Sequence, residues 1–204
     1  MSETNPSLEV LATRGTSLPE YKARLSRYFA VASGGQVEFR SAADPGNLPQ
    51  FIKLVGDIAI WTPFVVFASA FLKRIAEKAA DATWDVFKNK LSKANRNAQA
   101  FAEVVSVLID ASADMQRGVA IVGLNYPHSY WGTVLVIRDQ HPEEIAKSVC
   151  LFIENVKEID KVVHDAIEAG SRTHGYVHVE FDTDAHCHVH WIDQDFNIQK
   201  RELS

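Results

Sequence analysis

The run from Ile58 to Leu72, IAIWTPFVVFASAFL, places 15 residues without a charge between Asp57 and Lys73. A helix that is apolar on every side has to be covered by a core, by a partner or by lipid. A spanning helix needs about 20 such residues. Pro63 lacks the backbone donor that a helix interior uses, which predicts a kink or break near Thr62. Membrane association is therefore the less favoured reading. Covering all faces of this run with one sheet and two other helices is difficult in a mixed fold of 204 residues. The expectation is burial that includes a second protein chain, as a homo-oligomer or with a partner. Ile58, Trp61, Phe64, Phe67 and Phe71 would be the contact residues.

Composition narrows the function classes. Hydrophobic residues make up 47 % of the chain and charged residues 23 %, enough for one substantial core or two small ones. Lys plus Arg number 21 against 26 Asp plus Glu, a net charge of -5, so no overall positive field draws the protein onto a phosphate backbone. Nucleic acid is not an expected partner. Cys150 and Cys187 form no C-x-x-C and are too few for a disulfide framework, which fits a reducing, cytoplasmic setting. The N-terminal residues Met1 to Pro6 lack the basic region and apolar run of a signal peptide, so export by that route is not expected.

Periodicity divides the chain into three parts. In residues 1–47, Ser7 to Thr13 reads as a strand, Ser17 and Glu20 have the spacing of a capping box, and Leu18, Tyr21, Leu25 and Tyr28 share a helical stripe. Gln36 to Ala42 is a second strand, giving a βαβ-like unit. Residues 48–118 read as a helical hairpin: Leu48 to Leu91 is helical apart from Pro63, and Phe101, Val104, Val105, Leu108 and Ala111 form another stripe. Residues 119–204 read as ββαββ. Val119 to Tyr126 and Tyr130 to Asp139 form a hairpin, Pro142 opens one long helix reaching Gly170, and Tyr176 to Phe181 pairs with His186 to Ile192. Phe196 to Arg201 is a candidate third strand. The expected class is α+β, with a mixed or antiparallel sheet packed on the helix from Pro142. The hairpin is either an insertion into one domain or a link between two lobes.

The stretch DAHCHVHW, Asp184 to Trp191, spaces His186, His188 and His190 two apart, so all three share one face of a strand. On the preceding strand His178, Glu180 and Asp182 share a face opposite Val177, Val179 and Phe181. A two-residue turn would pair histidines with apolar residues. A three-residue loop, Thr183 to Ala185, pairs Asp182 with His186, Glu180 with His188 and His178 with His190, leaving the other face wholly apolar. Burial of one clean face selects that register. The polar face then has the composition of a zinc, copper or nickel site built from His178, Glu180, His186, His188 and His190. A solvated polar surface explains it more cheaply, because same-face neighbours along a strand are about 7 Å apart.

No catalytic signature accompanies these features. The chain has no G-x-S-x-G elbow, no G-x-G-x-x-G and no Walker A loop. Cys187 falls on the apolar parity, as a core residue would. His128, in an aromatic-rich turn, is a candidate ligand contact, with packing of the turn's own aromatics the simpler account. The leading expectation is a non-catalytic interaction or assembly protein, without a cofactor, that uses the helical hairpin as its contact surface. The alternatives are a divalent-metal protein centred on the histidine hairpin and a membrane-associated effector acting through residues 58–72.

Overall fold

A computed structural model describes residues 7–13, 18–32, 36–42, 50–78, 83–115, 119–126, 131–139, 141–168 and 175–203. All three parts of the sequence feed one eight-stranded mixed sheet, in the order β2-β1-β3-β4-β5-β6-β7-β8. The strands are β1 Ser7–Thr13, β2 Gln36–Ala42, β3 Phe51–Gly56, β4 Val119–Asn125, β5 Trp131–Ile137, β6 Gly175–Phe181, β7 Cys187–Ile192 and β8 Ile198–Leu203. The α+β class follows directly. Three parallel pairs, β1 with β2, β3 with β4 and β5 with β6, are joined to one another by antiparallel pairs. Parallel neighbours need crossover connections, and helices supply them.

The first crossover is α1, Leu18–Ala32. The second holds α2 Ile58–Trp61, a 3-10 turn Thr62–Phe64, α3 Val65–Ala76, α4 Trp84–Leu91 and α5 Arg96–Asp114. The third is α6 Pro142–Glu154 followed by α7 Val156–Glu168. Residues of β1 at even positions pair through β3, β4 and β5 with Ile52, Leu54, Ala120, Val122, Leu135 and Ile137, all buried. This is the face toward the helices, and α5 and α6 pack across its centre. The opposite face carries Glu9, Leu11, Lys53, Ile121 and Val136, each half-buried, with Val55 and Val134 buried beside Gly123, and the described helices, in contact with one another, pack on the first face.

Three expectations are corrected here. Residues 48–118 are not helical throughout: Phe51–Gly56 is a central strand, which turns the helical segment into a crossover between β3 and β4. The long helix from Pro142 breaks at Asn155, whose backbone and side-chain nitrogens both donate to Leu151 O, at 3.2 and 2.9 Å. The last strand begins at Ile198, because Phe196 occupies a turn at φ 63°. Thr62 does begin a break in the helix, through a 3-10 turn with Pro63 where no donor is needed. Asn95 caps α5, accepting from Ala98 N at 3.0 Å.

Long-range polar contacts fasten the helices. Arg24 of α1 donates to Glu103 and Asp110 of α5 at 2.9 and 2.7 Å, and Tyr21 donates to Asp114 at 2.5 Å. Burial and the neighbouring Asp114 push the Tyr21 hydroxyl pKa up, so it stays a donor.

Candidate functional site

The histidine hairpin has the three-residue register: Glu180 faces His188, His178 faces His190, and Phe181 faces Cys187. Asp182 N donates to His186 O at 3.1 Å and Ala185 N donates to Asp182 O at 3.0 Å, closing the loop with Ala185 at φ 67°. Asp182 Oδ1 accepts from the backbone nitrogens of Asp184 and His186, both at 2.9 Å. The His186 donation, joined by the neighbouring imidazoles, holds the Asp182 carboxyl below the usual carboxylate range. Val177, Val179, Cys187 and Val189 turn the other way and are buried under the helices. Cys187 is a core residue, and its burial pushes the thiol up to about 12.

The polar side sits on the helix-free face of the sheet. Two imidazoles meet one carboxylate oxygen there: His186 Nδ1 lies 3.2 Å and His188 Nε2 3.4 Å from Asp182 Oδ2. His190 Nε2 is 2.8 Å from Glu180 Oε1, which also has Lys200 Nζ at 3.8 Å. His178 lies across from His190 and is exposed. His188 is only 8 % exposed, and its Nδ1 has no hydrogen-bond partner among the described residues. Among the described residues, no three His, Cys, Asp or Glu side chains already form an arrangement that holds a metal ion. The five residues proposed as ligands thus share a face and a register without converging on one point.

A second loop repeats the first. Asp193 N donates to Asn197 O at 3.0 Å, Phe196 N donates to Asp193 O at 3.2 Å, and Asp193 Oδ1 accepts from Asp195 N and Asn197 N, both at 2.9 Å. Gln199 Nε2 adds a bond of 2.6 Å to Asp193 Oδ2. Donation from Asn197 leads the effects that hold the Asp193 carboxyl low. Asp182-Thr183-Asp184-Ala185-His186 and Asp193-Gln194-Asp195-Phe196-Asn197 are therefore two copies of one turn, each with a left-handed residue in fourth place. The repeated Asp-x-Asp was the sequence signal for the second loop, and reading Phe196 as a strand start passed over it.

Both carboxyls have a folded pKa below the unfolded one. Their contribution to stability is therefore present above about pH 4, the ordinary Asp pKa, and is lost as pH falls through the depressed value. The melting temperature should fall more steeply between pH 5 and pH 3 in the wild type than in Asp182→Asn/Asp193→Asn. Parallel curves would remove these turns from the acid response.

The apolar run takes a different form from that expected. Trp61, Phe64 and Phe71 lie in the chain's own core at 0, 3 and 0 % exposure, while Ile58 and Phe67 are half-buried against it. Trp61 packs edge-on to Phe152 at 6.2 Å, Phe67 stacks on Phe101 at 5.9 Å, and Phe71 meets Trp84 edge-on at 5.5 Å. The Trp61 indole N–H reaches two strands, with Gly56 O at 3.1 Å and Gly123 O at 3.0 Å. One sheet and the surrounding helices thus cover the aromatic side of the run, where the sequence expectation placed contacts with a second chain. The other side stays open. Ala59, Pro63, Val66 and Ala70 recur at helical spacing on the exposed side, and the next position in that spacing is Lys73. Ile58–Ala76 is long and apolar enough to cross a membrane, and 28 % of its most apolar stretch is buried.

His128 lies outside the described residues. Its neighbour Tyr126 packs edge-on to His164 at 5.7 Å. Comparison with protein-family models, with curated proteins and with solved structures found no match to this chain.

Proposed function

We propose that this is a non-catalytic assembly protein whose contact surface is the outward side of α2 and α3. The observation that carries the reading is the uncharged exposed row Ala59, Pro63, Val66 and Ala70, with Val66 64 % exposed. An uncharged row on a surface that elsewhere mixes charges is what a protein contact leaves in the free chain. A spanning role fits poorly. Moving this segment into lipid would pull Trp61 from the carbonyls of Gly56 and Gly123 and empty the aromatic core around Phe152.

Light scattering should give a solution mass above the 22.7 kDa of one chain. Val66→Asp should return the protein to one chain with its melting temperature nearly unchanged, since surface substitutions usually move stability by no more than about 0.5 kcal/mol. A wild-type protein that is monomeric at all concentrations and holds no partner sinks the proposal.

Divalent-metal binding is the second reading, favoured by the approach of two imidazoles to one ionised carboxylate oxygen at Asp182. It requires His186 and His188 to turn from that oxygen onto a shared ion. Zinc titrated calorimetrically into the wild type should then give heat that weakens as pH falls through about 6.5, where free imidazole protonates, and that His188→Ala abolishes. Equal, negligible heats from both proteins would leave the face as solvated surface.

A further inference from the structure

We infer that the β7–β8 turn is the other half of the assembly contact: Phe196 of one chain docks on the α2–α3 row of a second copy, head to tail. The inference rests on the assembly reading above and names its partner. Its starting point is the pair of matching turns. The fourth position is left-handed in both, at φ 67° for Ala185 and 63° for Phe196. That conformation disfavours any side chain and suits glycine. One copy of the turn has the small residue Ala185. The other has an aromatic residue that is 86 % exposed. The turn does not need Phe196, because its twin closes without one, and the core does not need it, because it touches solvent.

Phe196 is not alone. Ile192 and Ile198 pair across the strands beside it on the helix-free face, at 45 and 77 % exposure. With Val66 they make up four of the five large apolar residues exposed among those described, the fifth being Val86. The two patches also differ in sign of charge. The tip carries Asp193 and Asp195, whereas the Val66 row runs into the exposed Lys73. Lys73 makes an exposed contact of 3.8 Å with Glu77, which costs little to rearrange. An acidic tip with an aromatic at its centre, facing an uncharged row with a basic end, is complementary in both respects. The same acidic tip is repelled by an anionic bilayer. Because the two surfaces differ, the contact is heterologous and joins chains in a ring or an open string.

A mixing experiment tests this. Phe196→Asp and Val66→Asp should each be monomeric alone, and an equimolar mixture should form a complex of two chains, twice 22.7 kDa. One protein supplies the intact tip and the other the intact row. Phe196→Gly should weaken wild-type association about 30-fold, as loss of a central aromatic anchor does. The same change should raise the melting temperature, since it relieves the left-handed strain; a purely structural residue would not move the two readouts in opposite directions. If Val66→Asp is monomeric while Phe196→Asp still assembles, the head-to-tail contact is overturned and the assembly reading survives. A wild type that is monomeric at all concentrations overturns the head-to-tail contact, and one that also holds no partner overturns the assembly reading with it. Binding of monomeric protein to phosphatidylcholine vesicles that depends on Phe196 would assign the tip to lipid and overturn the inference.

Discussion

Trp61→Ala should cost about 3–5 kcal/mol of folding stability, the range for truncating a large buried aromatic side chain. A domain of this kind has only about 5–15 kcal/mol in total, so the variant should melt far earlier or fail to fold at 37 °C. The reason is position. Trp61 is 0 % exposed, lies edge-on to Phe152 and donates to carbonyls on both β3 and β4. Trp61→Phe keeps much of the ring and loses the N–H, and should cost about 1–3 kcal/mol for the desolvated carbonyls. Chemical denaturation of the three proteins separates the packing from the hydrogen bonds. Equal, small losses for both variants would mean that the indole is not part of the chain's own core.

That reading shows where periodicity informs and where it fails. The histidine hairpin was legible to the residue because a period of two leaves few registers and only one of them buries a clean face. Val177, Val179, Cys187 and Val189 determined the pairing of Glu180 with His188 before any histidine chemistry was considered. The βαβ unit of residues 1–47 followed from two alternating runs around an amphipathic helix. By contrast, β3 is only 6 residues long, and a single residue, Asp57, separates it from the helical run. A short apolar run fits helix and strand equally well. The break at Asn155 was hidden for another reason. Val149, Phe152, Val156, Ile159 and Val163 keep helical spacing straight through it, so the stripe carries no mark of the interruption.

Which side of the apolar run faces outward was hidden for a related reason. Hydrophobicity says that Ile58 to Leu72 is covered, and it does not say which side the chain covers itself. Large aromatics at 61, 64 and 71 suggested a sticky outer face, yet large rings gain most from a core and sit there. What remains outside is small and aliphatic: Ala59, Pro63, Val66 and Ala70. The histidine residues were brought onto one face as expected, but alternation sets only the face. Convergence on a metal depends on rotamers, which pattern does not encode, and here His186, His188 and His190 turn toward Asp182 and Glu180 instead.

Gly123→Ala should be nearly as damaging as Trp61→Ala, at about 3 kcal/mol or more, because it overpacks a place with no room. A Cβ on Gly123 would lie 2.1 Å from the carbonyl oxygen of Thr133 and 3.4 Å from Val134 Cγ1. Backbone cannot rotate away as a side chain can, so β4 and β5 must separate. The local bonding is already adapted to this closeness: Leu124 N donates to the hydroxyl of Thr133 at 3.0 Å, and Thr133 is fully buried. Separation of the strands would also move Gly123 O, which accepts from Trp61 at 3.0 Å and helps to seat α2. If the α2–α3 row is the assembly contact proposed above, Gly123→Ala should therefore lose assembly as well as stability, through displacement of the helix that carries it. Val66→Asp should lose assembly alone. Denaturation and light scattering on the two variants together decide whether the core beneath the helix and the row above it are separate in function. If Gly123→Ala melts like the wild type, the close approach of β4 and β5 does not hold the helix in place.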